Sequence, residues 1–183
     1  MQDTIVTTDT PKAALPPHLM DQTIHTLSVY VANKPGVLAR IAATFARRGY
    51  NIESLVVSPA MDGRFSRMTI GVSGRGDGLR HIIAAANKLV DVLHCNDHTF
   101  DQAVVKELAL IKIRVEPADR GEALQIGEHF GCKTVDLTER SMILQCTGDS
   151  DKIDALVGMV NKWQIIELVR TGKVAMLRGE ETT

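Results

Sequence analysis

Aromatic side chains are scarce: four Phe, two Tyr and one Trp make up 4% of 183 residues. A core must therefore be built from Val, Ile, Leu, Ala and Met, and an apolar content of 44% is enough to build one. Cysteine is nearly missing too. Cys95, Cys132 and Cys146 are odd in number and show no CxxC spacing, which argues against a disulfide framework and fits a reducing compartment. No charge of one sign prevails, since 21 Lys and Arg face 22 Asp and Glu for a net charge of -1. Nucleic acid, which demands a basic surface, finds no support there. No apolar run approaches the ~20 residues that cross a bilayer. The first 22 residues lack an apolar signal core and carry Asp3, Asp9, Pro11, Pro16 and Pro17, so 1–22 reads as a disordered tail. The expectation is a cytoplasmic, soluble chain with room for one large domain or two small ones.

Ordered pattern starts near Ile24. Leu27, Val29 and Val31 alternate with Thr26, Ser28 and Tyr30, as in a strand with one face buried. Asn33-Lys34-Pro35-Gly36 breaks it. Val37, Leu38, Ile41, Ala42 and Phe45 then follow at helical spacing, and Gly49 stands where a helix stops. Asn51 to Pro59 is a second strand and Asp62-Gly63 a turn. A third strand carries Met68, Ile70 and Val72. Asp77 caps a second helix with the stripe Leu79, Ile82, Ile83, Ala86, Leu89 and Val90, and Val90 to Thr99 is a fourth strand. This order, β-α-β-β-α-β, then repeats. Ala103 to Val115 is a strand, Asp119 to Phe130 a helix stopped by Gly131, and Cys132 to Leu137 with Ser141 to Thr147 a strand pair. A helix carrying Ile153, Leu156, Val157 and Val160 follows, capped by Asp149 or Ser150. Ile165 to Arg170 is the last main strand, with a short extra one at Val174 to Leu177. The fold class expected is α+β, two ferredoxin-like (βαββαβ) domains over 23–100 and 101–183. Units this small bury a modest share of their surface, and an open sheet edge invites a second copy, so a homodimer is expected.

The segment Asn33-x-Pro35-Gly36-Val37-Leu38, with Asn51, is the strongest site candidate. A loop feeding a helix start offers unpaired N–H groups to a small carboxylate without any basic side chain. Gly36 lets a ligand approach the backbone. The amides of Asn33 and Asn51 offer oxygens to an ammonium group, with the second strand expected beside the first. The set suits a free amino acid; its plain alternative is turn chemistry at a helix start. His94-Cys95-Asn96-Asp97-His98 resembles a metal cluster, but polar residues on an edge strand explain it as well. Gly74-Arg75-Gly76-Asp77-Gly78 has Leu79 where a dinucleotide fingerprint needs glycine, which favours a flexible connection. No nucleophile–base or metalloprotease motif is present. An RNA-recognition domain shares the element order, yet the third strand offers no stacking aromatic beyond Phe65 at its start.

The segments HTLSVYVANKPGVLARIAATFARRGYNIESLVVSP, SRMTI, KLVDV, ELALIKI and ELVRTGKVAMLRG resemble the small regulatory subunits of acetohydroxyacid (acetolactate) synthase, from about His25 to Arg178. The resemblance implies that the first unit is an ACT domain, an amino-acid-binding module. It implies no catalysis and no cofactor in this chain. The implied partner is the large catalytic subunit, which uses thiamine diphosphate, Mg and FAD. The small subunit would stimulate it and confer feedback inhibition by valine, with leucine or isoleucine as alternative effectors, in branched-chain amino-acid biosynthesis. The implied effector contacts are Asn33, Gly36, Val37, Leu38, Asn51 and Ile52, between two ACT domains. The rivals are a free-standing amino-acid sensor acting on another protein and a small ferredoxin-like enzyme.

Overall fold

The structure, a computed structural model, describes residues 24–74, 78–99, 103–180 and 182–183. The expected tail over 1–22 and the expected cap at Asp77 lie outside them. The first unit runs β1 (Ile24–Ala32), α1 (Val37–Ala46), β2 (Asn51–Pro59), β3 (Phe65–Ser73), α2 (Leu79–Ala86), β4 (Val92–Asp97). The second runs β5 (Ala103–Arg114), α3 (Arg120–His129), β6 (Lys133–Leu137), β7 (Ser141–Gly148), α4 (Ser150–Val160), β8 (Gln164–Arg170), with β9 (Val174–Leu177) appended. Both sheets are antiparallel, in the orders β2-β3-β1-β4 and β6-β7-β5-β8, the arrangement expected of the ferredoxin-like class. β2 is therefore not beside β1, as the sequence suggested. β3 lies between them, because the hairpin from β2 places β3 against β1.

Each core sits between a sheet and its two helices. Leu27, Val29 and Val31 of β1 meet Met68 and Ile70 of β3 and the α1 residues Val37, Ile41 and Phe45. Ala109, Ile111 and Ile113 of β5 meet Met142, Leu144 and Cys146 of β7 and Ile153 and Leu156 of α4. Glycine ends two helices as expected. At Gly49 (φ 74°) the Tyr50 N–H donates to the Phe45 carbonyl, and at Gly131 (φ 62°) the Cys132 N–H donates to the Gly127 carbonyl. α2 stops earlier than its apolar stripe suggested, so Val90 is fully exposed. The reason is Asn87, whose side chain brackets the backbone of Cys95 with two hydrogen bonds (2.7 and 3.2 Å) and turns the chain into β4. β4 is accordingly shorter than expected.

β5 outruns its own sheet. Its first residues, Ala103 to Lys106, pair only with β9, while Glu107 onward joins β7 and then β8. The β5–β9 ribbon lies against the outer face of the first sheet, the face turned away from α1 and α2. Val174 to Met176 share a cavity with Tyr30, Val56 and Thr69, and the backbone at Gly172 presses on the Ser54 side chain. Where β5 passes from β9 to β7, Glu107 is buried and ion-paired with Arg170, which also reaches Asp154. No helix of the described residues is long and apolar enough to cross a membrane.

Candidate functional site

Asn33 follows β1 in an exposed loop that is tied to the β2–β3 turn. Its N–H donates to the Arg64 carbonyl (2.8 Å) and its Nδ2 to the Gly63 carbonyl (3.0 Å). With Nδ2 engaged, Oδ1 is the atom left to accept from a ligand. Gly36 caps α1 at φ 82°, a conformation that favours glycine, and its carbonyl receives the Arg40 N–H (3.2 Å). Val37 points into the core at 2% exposure, so only its backbone faces the loop, whereas Leu38 is exposed.

The cradle is not free of basic side chains. A Cβ on Gly36 would lie 3.4 Å from Arg40 Nη1, and Arg40 and Lys34 both pair with Asp91. A carboxylate at this helix start meets the helix dipole and two cations partly balanced by one carboxylate. Arg40 was legible, being four residues after Gly36 and so one helical turn above it.

Asn51 and Ile52 lie elsewhere. Asn51 is exposed at the start of β2, and its Nδ2 donates to Glu53 Oε1 (2.6 Å), again leaving Oδ1 outward. Ser73 Oγ donates to the same Glu53 oxygen. These two hydrogen bonds, Ser73 first, hold the Glu53 carboxyl below its ordinary value. Glu53 fixes the Asn51 amide and adds negative charge beside it, which suits an ammonium group. Sequence reasoning missed Glu53, although a residue two further along a strand is the natural partner for Asn51. Ile52 is half-buried against the core.

The six residues do not meet within one chain. Asn51 stands across from Ser73, and Ser73 across from Ile24, at the start of β1; Asn33 follows Ala32 at its finish. Eight residues of strand separate the two levels, about 26 Å at ~3.3 Å per residue. The chain thus carries two half-sites, one at each end of edge strand β2. Between them Leu38 and Val57 are exposed, with Ile52 and Leu55 half-buried alongside.

The other candidates resolve differently. Gly74 and Gly78 make room for the Tyr50 side chain, since a Cβ on Gly74 would lie 2.3 Å from the ring and one on Gly78 2.6 Å from the hydroxyl. His94 stacks on Tyr30 at 5.3 Å, while His98 lies past β4 and is buried instead of sharing a solvent face with His94. Among the described residues no group of His, Cys, Asp or Glu has a metal-binding arrangement.

Residues 27–94 match the family described as the AHAS small subunit-like ACT domain, and residues 106–179 that described as the small subunit of acetolactate synthase. The chain is 43% identical over 157 residues to a probable acetolactate synthase small subunit of Archaeoglobus fulgidus, covering 86% of this chain and 98% of the relative. It is 40% identical over 155 residues to the acetolactate synthase small subunit of Mycolicibacterium smegmatis, covering 85% and 91%. The crystal structure of the small subunit from Thermotoga maritima superposes with a TM-score of 0.77 at 36% identity, covering 86% of this chain and 99% of that one.

Proposed function

Because the chain belongs to the acetolactate synthase small-subunit family, we propose that it is a non-catalytic regulatory subunit that stimulates the large catalytic subunit and confers feedback inhibition by valine. Residues 23–100 form the amino-acid-binding ACT domain and 101–183 the second domain. The partner supplies the chemistry, with its thiamine diphosphate, Mg and FAD; this chain supplies none, and the complex works in the cytosol.

The observation that carries this reading is the splitting of the site between the ends of β2. Two copies related by a twofold axis and apposed along β2 run antiparallel. Asn51 of one copy then faces the Pro59 end of the other, where Asn33 and Gly36 stand. Each half-site is completed by the partner's opposite half, and the Leu38–Val57 strip is buried between them. The carboxylate of a free amino acid goes to the α1 start, its ammonium to Asn33, Asn51 and Glu53, and its side chain to the aliphatic strip. One methylene changes binding by only ~1–3 kcal/mol, so leucine and isoleucine enter as well. Occupancy reports how the two copies sit together, and a coupling of about 1–3 kcal/mol suffices to shift the partner between states.

Reconstitution with the large subunit tests this. Acetolactate formation should rise on adding the chain and fall again with valine. Gly36→Asp and Asn51→Ala should each abolish or weaken valine inhibition while sparing stimulation. Mixed dimers of the two variants should regain inhibition, because one of the two sites then holds both lesions and the other neither. If mixing restores nothing, the shared site is wrong; if no stimulation occurs with the intact chain, so is the regulatory assignment.

A further inference from the structure

The outer face of the first sheet carries an aromatic row that the effector site does not use. Phe65, Tyr30 and His94 lie side by side across β3, β1 and β4, with ring centroids 5.4 and 5.3 Å apart. Arg67, directly across from Tyr30 in register, places its guanidinium 5.8 Å from the Tyr30 centroid. Among the described residues no hydrogen bond or ion pair reaches the Arg67 side chain, and its buried Nε has no acceptor. Arg40, Arg64 and Arg170 each have a carboxylate, and no ion pair of that kind is found for Arg67 among the described residues. It lines a cavity of about 530 Å³ with Tyr30, Val56, Met61, Val174 and Met176, where the β9 ribbon stops covering the sheet. Met61 is fully exposed and Met176 is 64% exposed.

We propose that this cavity is where the large catalytic subunit docks, inserting an acidic side chain against Arg67 and apolar neighbours against Tyr30, Met61 and Met176. The proposal rests on the regulatory reading above and adds the contact surface to it. A half-buried guanidinium whose Nε lacks an acceptor is incomplete, and a carboxylate completes it bidentately in a site already half shielded from water. Arg, Tyr and Met around an apolar pocket are the residue types that dominate protein–protein contacts. A small free carboxylate would satisfy Arg67 but leave both methionines in water, so the occupant must extend beyond the cavity. RNA would use the aromatic row, but a chain of net charge -1 offers little to its backbone.

The test titrates the full chain and two variants into the large subunit, following acetolactate formation and direct binding. Arg67→Met removes the charge at similar volume. Met61→Asp sits on an exposed turn, so it leaves folding intact while placing a repelling charge at the rim. Arg67→Met is expected to raise the half-saturating concentration about thirtyfold or more, as loss of one partner from a shielded charge pair does. Met61→Asp is expected to raise it roughly tenfold through like-charge repulsion. Both should keep valine binding measured calorimetrically on the isolated chain. If the intact chain stimulates and both variants match it within about twofold, the docking site is overturned while the regulatory reading stands. If the intact chain neither binds nor stimulates, the regulatory reading itself falls. Arg67-dependent binding of a single-stranded RNA, or of isobutyrate with no response to Met61→Asp, also overturns the docking site.

Discussion

β1 and β5 occupy equivalent central places in the two sheets and share an alternating pattern, yet their surroundings differ. In β5 alternation holds from Glu107 to Ile113: Ala109, Ile111 and Ile113 are buried, and Leu110 and Lys112 between them are half-exposed. In β1 the polar half is buried as well, with Thr26 at 4% and Ser28 at 0% exposure. The difference comes from the ribbon. β5 extends past its own sheet, pairs with β9, and covers the outer face of the first sheet, while the outer face of the second sheet has no such cover among the described residues. A period-two pattern therefore reports which face meets the helices and is silent about what a distant segment lays on the other.

The sharpest way to break this contrast is Gly172→Val. Gly172 has φ 83°, and a Cβ there would lie 2.4 Å from Ser54 Cβ, so a β-branched residue meets both strain and collision. We expect about 3 kcal/mol of destabilisation, combining left-handed strain with overpacking. The ribbon should lift away. Amides of Thr26 and Ser28 should lose hydrogen-exchange protection while those of Ile111 and Leu144 keep it; uniform loss in both units would contradict the separate covering.

A smaller effect of opposite sign is expected at Ser28. Its hydroxyl is buried with no hydrogen-bond partner among the described residues, a cost the covering ribbon imposes. Ser28→Ala should raise stability by about 1 kcal/mol, read as an upward shift of the urea midpoint. A lowered midpoint would mean that the hydroxyl is satisfied.

The smallest effect concerns what the two units share. Burial pushes the Cys95 thiol up to about 12, with Asp97 adding to it, and burial pushes Cys132 up to about 12, with a hydrogen bond to Cys146 adding to it. The folded chain therefore holds these protons more tightly than the unfolded one. The stability tied to them is intact below the ordinary thiol value of 9.0 and is lost as pH rises from there through about 12. Urea midpoints should fall across that window, less steeply in a Cys95→Ala, Cys132→Ala double variant. Alkylation of both thiols should be slow in the folded chain near neutral pH and fast in urea.

Much of this was readable from residue order. Gly49 and Gly131 mark helix ends because only a left-handed residue closes those turns cheaply, and Asn51 to Pro59 and Val174 to Leu177 emerge with the bounds expected. Val90 misled, because Asn87 ends α2 through a tertiary bond to Cys95 that no periodicity records. Gly74 and Gly78 carry a role that spacing does not record: their lack of side chains makes room for Tyr50, a partner more than twenty residues away, while the connection between them lies outside the described residues.

By itself the sequence determined the two β-α-β-β-α-β units, their cores and the residue types of the candidate site. Those depend on local spacing, on backbone freedom at a few glycines, and on which face of each element is apolar. Tertiary structure alone decided that β3 separates β1 from β2, that Asn33 and Asn51 stand at opposite ends of the sheet, and that the ribbon covers one sheet and not the other. Strand order and contacts between distant segments arise from how whole elements stack, which a pattern of near neighbours does not encode.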